Sequence, residues 1–152
     1  MVHKTLSKVA EVELTYKPKY KASERPQIST SKQAHEVFIA HWSLGKIELI
    51  EEFKVLLLNR RNRVLGIVDI SMGGVTETLA DPKVIFAVAL KSGACGIILC
   101  HNHPSEELQP GKADIELTKR LQQGGRLLDI TILDHLIISK DAFYSFADEG
   151  LM

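Results

Sequence analysis

Residues 95–104 read Cys-Gly-Ile-Ile-Leu-Cys-His-Asn-His-Pro, an apolar run that passes directly into a polar loop. The run Cys95–Cys100 contains no charged side chain. Central strands of α/β sheets are buried on both faces and have this composition. We therefore expect a buried central strand that presents His101 and His103 at its end.

Patterns on either side of this strand predict helices that alternate with further strands. Thr30-Ser-Lys-Gln33 has the spacing of a capping box, and Asp81-Pro82 combines a capping aspartate with a proline at the first helical position. Helices are predicted at about 31–43, 82–91 and 112–123, the second ended by Gly93 and the third by Gly124-Gly125. Apolar runs predict strands at Phe53–Leu58, Val64–Ile70, Arg126–Leu133, His135–Ser139 and Phe143–Phe146.

The fold class that these elements predict is α/β, a single domain with a mixed β-sheet flanked by helices. The chain has 152 residues, 45% of them hydrophobic, which suffices for one core without disulfides or a structural metal. We divide it into an N-terminal basic extension at 1–28 and the main domain at 29–152. The extension includes a short alternating stretch, Val12 to Tyr16, which predicts a half-exposed strand.

Charge and cysteine content restrict the classes of partner and the compartment. The 19 basic and 19 acidic side chains balance, so no global field attracts nucleic acid or an anionic membrane. Cys95 and Cys100, five residues apart in one predicted strand, would point to opposite faces and are expected to be unpaired core thiols. No apolar signal region opens the chain, and no run approaches the roughly 20 apolar residues of a membrane span. A cytoplasmic location without membrane contact is expected.

The two histidines of the decisive stretch have the spacing of metal ligands. At a separation of two, an extended chain sends the imidazoles of His101 and His103 to the same side. Asp114 follows eleven residues after His103, in the first turn of the next predicted helix, and a carboxylate there can fold back over the loop. The prediction is one zinc ion per chain, held by these three side chains, with the fourth position left to water as in catalytic sites.

A catalytic zinc site also needs a carboxylate that moves the proton of the activated water. Glu51 is the candidate, because it lies at the beginning of the apolar run Phe53–Leu58 and a neighbouring strand could present it beside the water. Glu48 and Glu52 are alternatives that spacing alone does not separate from it.

Four separated blocks of sequence resemble the RadC-like branch of the JAB/MPN (JAMM) metalloprotein family. They are His101-Asn-His-Pro-Ser105, Ala113-Asp114-Ile-Glu-Leu-Thr, Leu133-Asp-His-Leu-Ile137 and Tyr144-Ser-Phe-Ala-Asp-Glu-Gly-Leu151. The resemblance implies an MPN-type α/β fold, zinc on the two histidines and the aspartate, and a glutamate acid/base that matches Glu51. It also implies hydrolysis of a peptide, isopeptide or related amide bond, with the substrate left open. We expect no helix-hairpin-helix region of the kind that longer RadC proteins have.

This sequence departs from the family pattern at two places. Gly111 stands three residues before the aspartate, where the pattern has serine, and the loop Glu106-Glu107-Leu108 is more acidic than in relatives. Glycine still caps a helix, but it supplies no hydroxyl to stabilise a developing oxyanion. Ser105 is a candidate to replace that hydroxyl. The alternative function is therefore a catalytically weak or inactive interaction module. The family association and the basic N-terminal segment also leave open an accessory protein of DNA repair or mobile elements.

The remaining candidates have structural explanations. His135, between two apolar runs, is expected to be a hydrogen-bonded core histidine or one that supports a ligand, rather than a ligand itself. Arg60, Arg61 and Arg63 are expected at a solvated hairpin tip. His-Asn-His is not an HNH nuclease signature, which is spread over a larger module. A peptide or protein substrate is the expected partner, while nucleic acid and a second copy of the chain stay open.

Overall fold

Within residues 3–13, 17–73 and 80–152, which this computed structural model describes, the chain forms one mixed sheet with helices on both faces. The strands are β1 (Glu52–Leu58), β2 (Val64–Met72), β3 (Gly96–Asn102), β4 (Thr131–Ile138) and β5 (Phe143–Ser145). The helices are α1 (His3–Leu6), α2 (Ser31–Ala40), α3 (Pro82–Ser92) and α4 (Lys112–Leu128), and a 3-10 turn lies at Ala22–Glu24. The strand order is β2-β1-β3-β4-β5, antiparallel except for the parallel pair β3 and β4. The predicted α/β class is confirmed.

Two apolar layers hold the sheet between its helices. Alternate residues of β1 and β3 point to opposite faces, and all seven residues of each strand are buried. One face packs against Ala34 and Phe38 of α2. The other packs against Ile85 of α3 and Leu121 of α4. The expectation of a central strand buried on both faces is thus confirmed for β3.

Local signals in the sequence set several element boundaries as predicted. The Thr30 hydroxyl accepts a hydrogen bond from the Gln33 amide, and the Asp81 carboxylate accepts one from the Lys83 amide. Gly93 ends α3 in the left-handed conformation, with φ of 69°. The hairpin of β1 and β2 forms around the polar turn. Helix α2 ends at Ala40 and is therefore shorter than the predicted 31–43.

The predicted end of α4 at Gly124-Gly125 is wrong, because these glycines serve packing and do not end the helix. A Cβ at Gly124 would lie 2.9 Å from the Phe86 ring, and one at Gly125 would lie 2.2 Å from the Ile130 carbonyl oxygen. The helix continues to Leu128 and ends where Asp129 takes the left-handed conformation, with φ of 54°. The strand predicted at 126–133 therefore starts only at Thr131 and continues into the one predicted at 135–139, so that both form β4.

The structure differs from two further expectations. Cys95 precedes β3 and is exposed, so only Cys100 is a core thiol, although both are unpaired as expected. Val12 is exposed and outside any strand, and the rest of the strand predicted there, 14–16, lies outside the described residues. The boundary between 1–28 and 29–152 stays a prediction. No helix in the described ranges is long and apolar enough to cross a membrane.

The close approach at Gly125 predicts the effect of one methyl group. Gly125→Ala should destabilise the domain by about 1–3 kcal/mol, because overpacking against Ile130 outweighs the gain of about 1 kcal/mol in helix propensity. Gly45→Ala is the control, since a Cβ there meets nothing within 4 Å and should change stability by less than about 0.5 kcal/mol. Denaturant unfolding measures both, and equal stability of the two variants would contradict the packing role.

Candidate metal centre

The end of β3 brings two imidazoles together. His101 is the sixth residue of this strand and its side chain points to the face covered by α4, while His103 follows just after the strand. The Nε2 atoms of His101 and His103 are 2.9 Å apart. His101 is 2% exposed, because the ring of Phe53 on β1 stacks on it at 5.7 Å between centroids. The predicted convergence of the two histidines is observed.

Asp114 approaches both imidazoles from the first turn of α4. Its Oδ1 lies 3.4 Å from Nε2 of His101, and its Oδ2 lies 3.7 Å from Nε2 of His103. The same Oδ2 accepts a hydrogen bond of 2.8 Å from the amide of Gly111, the residue that caps the helix. The helix N-terminus thereby fixes the carboxylate in place.

The three side chains have the spacing of ligands to one metal ion. Two ligand atoms at about 2.0–2.1 Å from one tetrahedral zinc stand roughly 3.3 Å apart. The two imidazole nitrogens are 2.9 Å apart, near that value, and Asp114 approaches them with different oxygens, Oδ1 at 3.4 Å from His101 and Oδ2 at 3.7 Å from His103. Nδ1 of His103 contacts the Glu107 carbonyl oxygen, which only accepts, so this nitrogen carries the proton and Nε2 keeps a lone pair toward the site.

Glu51 lies farther out than the aspartate. Its Oε1 is 3.9 Å from Nε2 of each histidine, and the residue is 7% exposed. Glu51 and the two histidines form a group whose ligand atoms lie within 4.8 Å of one another. Geometry therefore allows Glu51 to bind an ion directly or to act on a water beside it.

The competing glutamates occupy other environments. Glu52 is buried too, but strand alternation turns it to the opposite face of β1, where its Oε2 lies 3.9 Å from the Lys54 ammonium. Glu48 is exposed in the segment before β1. Among the three carboxylates, only Glu51 contacts His101 and His103.

The electrostatics of the site favour a cation. Burial raises the pKa of the Asp114 carboxyl, but the interactions with His101 and His103 outweigh this effect and hold that pKa far below its usual range. The Asp114 carboxylate in turn raises the pKa of His103, against the opposing effect of burial. The site thus places an ionised carboxylate beside two imidazoles, a set of groups that favours a bound cation.

Asn102 positions the segment that precedes Glu51, a role that the sequence reasoning missed. Because it alternates with His101, its side chain points to the opposite face of the sheet and is fully buried. Its Oδ1 accepts from the Glu52 amide at 2.7 Å, and its Nδ2 donates to the carbonyl oxygens of Ile47 and Ile50 at 2.7 and 2.8 Å. The signal available in the sequence was a polar amide at a position where strand alternation forces burial.

His135 supports His101 from β4, as expected for a core histidine. Its Nε2 lies 2.8 Å from Nδ1 of His101, and its Nδ1 lies 2.7 Å from the Thr118 hydroxyl. Burial holds the pKa of His135 well below its ordinary value, so the ring is neutral. Thr118 was missed, although it stands four residues after Asp114 and therefore on the same face of α4.

The position of Gly111 tolerates the serine that the family pattern has there. Its φ of −77° is open to any L-residue, and an added Cβ would lie 3.4 Å from Oδ2 of Asp114, an ordinary contact. Ser105, the other hydroxyl considered, is exposed, and its Oγ lies 3.4 Å from the Glu107 amide. This partner lies in the same loop as Ser105.

The hydrogen bonds of Asn102 predict a large cost for removing its amide. Asn102→Ala should lower the free energy of unfolding by roughly 1–3 kcal/mol, because buried backbone groups lose their partners. The control is Asn59→Ala, which removes an amide that accepts from the Arg61 and Arg63 backbone in the hairpin turn, and which should cost less than about 1 kcal/mol. Denaturant unfolding compares them, and equal losses would contradict the special role of Asn102.

Comparison with known proteins agrees with this architecture. Residues 28–151 match the family described as RadC-like JAB domain. A UPF0758 protein of Flavobacterium johnsoniae is 50% identical over 101 residues, which are 66% of this chain and 44% of that protein. UPF0758 proteins of Porphyromonas gingivalis and Chlorobaculum parvum are 48% and 40% identical over 67% and 78% of this chain, and over 45% and 54% of their own lengths. The chain thus spans about half the length of these relatives. It belongs to the RadC-like JAB domain family.

Proposed function

We propose that this chain is a zinc metallohydrolase that cleaves an amide bond of peptide, isopeptide or related type. The observation that carries the proposal is the convergence of His101, His103 and Asp114 within 3.7 Å, with the buried Glu51 at 3.9 Å from both imidazoles. Family membership supports it, since the matched region includes all four residues. The unpaired state of Cys95 and Cys100 supports a cytoplasmic location.

The proposed roles follow from the position of each group. His101, His103 and Asp114 would hold the ion as two neutral nitrogens and one anionic oxygen. When bound, zinc supplies Lewis acidity, which lets water ionise near neutral pH and polarises a carbonyl group. Glu51 would accept the proton of the attacking water at Oε1 and pass it to the amine that leaves when the carbon–nitrogen bond breaks. A buried carboxylate beside the reacting atoms suits this exchange.

Metal content and turnover test the proposal together. Purified protein should contain about one zinc per chain, and His101→Ala combined with His103→Ala should remove it. Glu51→Gln should keep the zinc and abolish hydrolysis of a quenched-fluorescence peptide library. Glu48→Gln is the matched control, because this exposed glutamate has no contact with the histidines and its loss should leave turnover unchanged.

Two results would refute the zinc hydrolase. One is wild-type protein without stoichiometric zinc after reconstitution. The other is zinc content that stays the same in the double histidine variant.

A second function, an interaction module with little or no catalysis, is favoured by one observation. Gly111 caps α4 beside Asp114 and offers no hydroxyl to a developing oxyanion. Loss of one such donor reduces rates by about 10² to 10³ in other enzymes. In this case the domain would bind a peptide or protein partner at the same cleft without turning it over.

Restoring the hydroxyl distinguishes the two functions. Because the backbone and the space at Gly111 accept a side chain, Gly111→Ser should fold and gain a few tenths of a kcal/mol from better capping. If the wild type is a silent module, this variant should gain activity on the peptide library by about 10² or more. Robust wild-type turnover that Glu51→Gln abolishes would instead reject the silent module.

A further inference from the structure

A chain of hydrogen bonds connects the backbone of α4 to the metal-facing histidine of β3. The Thr118 hydroxyl lies 2.7 Å from the Asp114 carbonyl oxygen and 2.7 Å from Nδ1 of His135. Nε2 of His135 lies 2.8 Å from Nδ1 of His101. Thr118 and His135 are 1% and 0% exposed, so the two side chains are enclosed by protein. This series of hydrogen bonds thus begins at the Asp114 carbonyl oxygen, which can only accept, and ends at His101, a proposed metal ligand.

The Asp114 carbonyl oxygen determines which atom donates and which accepts in each hydrogen bond of this series. A carbonyl oxygen only accepts, so the Thr118 hydroxyl donates its single proton to Asp114. Nδ1 of His135 must then donate to the Thr118 oxygen. In a neutral ring, Nε2 of His135 is left as an acceptor, and Nδ1 of His101 carries the proton that it receives. Nε2 of His101 consequently keeps its lone pair.

We propose that Thr118 and His135 are positioning residues that hold His101 in the tautomer able to bind a metal ion. The proposal rests on the proposed zinc site. Neither residue contacts the substrate or the ion. Their role is to place a proton on Nδ1 of His101, on the side of the ring away from the ion. Outer partners of this kind fix both the ring orientation and the tautomer of metal-binding histidines.

The opposite tautomer would close the site. If Nδ1 of His135 lost its partner, the ring could carry its proton on Nε2 and donate to Nδ1 of His101. His101 would then carry its own proton on Nε2, which lies 2.9 Å from Nε2 of His103. That distance suits a hydrogen bond between the imidazoles, which would use both lone pairs that an ion needs. The Thr118 hydroxyl thus decides whether Nε2 of His101 carries a proton or the lone pair that an ion needs.

Aromatic packing keeps the His135 ring from rotating away from these hydrogen-bond partners. It stacks on Phe146 with centroids 4.6 Å apart and meets the edge of Phe53 at 5.7 Å. Phe53 also stacks on His101, so one aromatic ring restrains both histidines. Because the rings are held, removal of the hydroxyl should change the proton positions more than the ring positions.

The test compares two substitutions of Thr118 by zinc affinity and by NMR. Thr118→Val keeps the shape of the side chain but removes the hydroxyl, and it should weaken zinc binding in a chelator competition by about 10- to 100-fold. Thr118→Ser keeps the hydroxyl and should bind zinc within about threefold of the wild type. Thr131→Val, the same exchange at an exposed position, is the control and should bind like the wild type.

Nitrogen-15 NMR of the metal-free protein provides a readout that a merely structural role would not move. The wild type and Thr118→Ser should show the proton of His101 on Nδ1, and Thr118→Val should show it on Nε2. Unchanged zinc affinity in Thr118→Val, or a metal-free wild type with the proton of His101 on Nε2, would overturn the inference. The wild-type spectrum keeps the test decisive even if the valine variant does not fold. Failure of the wild type to bind zinc would count against the proposed function. The inference about Thr118 and His135 would still be tested, because the NMR spectrum of the metal-free protein shows which nitrogen of His101 carries the proton.

Discussion

The alternation of side chains at the end of β3 is the constraint on which the rest of the site depends. Because neighbouring residues of a strand point to opposite faces, His101 reaches α4 and Asn102 reaches the segment before β1. The first supplies a candidate ligand atom, and the second holds the backbone on either side of Glu51. A shift of one residue in the register of β3 would exchange these roles and separate the histidine from the carboxylates.

The fold and the site are therefore stabilised by the same contacts. Asp114 reaches the imidazoles because α4 lies against the sheet, and at the far end of the helix Gly124 and Gly125 allow close packing, since a Cβ there would collide with Phe86 of α3 or with the Ile130 carbonyl group that follows the helix. The amide of Gly111 then fixes the carboxylate at the helix start. Packing at the C-terminal end of α4 and capping at its N-terminal end thus both restrain the helix that carries the candidate ligand Asp114.

Sequence reasoning found the elements whose signals are local. The caps at Thr30 and Asp81 and the buried run of β3 were correctly predicted, because each depends on neighbouring residues. The glycine pair of α4 was misjudged, since its purpose is contact with Phe86 and Ile130, which no local pattern reveals. Asn102 and Thr118 were missed for a related reason. Their partners lie 50 and 17 residues away, so their roles exist only in the folded chain.

Buried polar side chains are concentrated at the end of the sheet that holds the candidate metal centre. On β1 and β3, the end near Glu51 buries Glu52, Lys54, His101 and Asn102, whereas the opposite end buries only apolar side chains and a glycine. Burying charged and polar groups costs free energy even when they are paired, and apolar residues of similar volume would be at least as stable there. On the face toward α4 these costly groups are Glu51 and His101, which meet at the candidate metal centre, whereas Asn102 on the opposite face holds the backbone beside Glu51. The hydrogen-bond chain through Thr118 and His135 extends this pattern, since it uses two more buried polar side chains to define a single lone pair on His101.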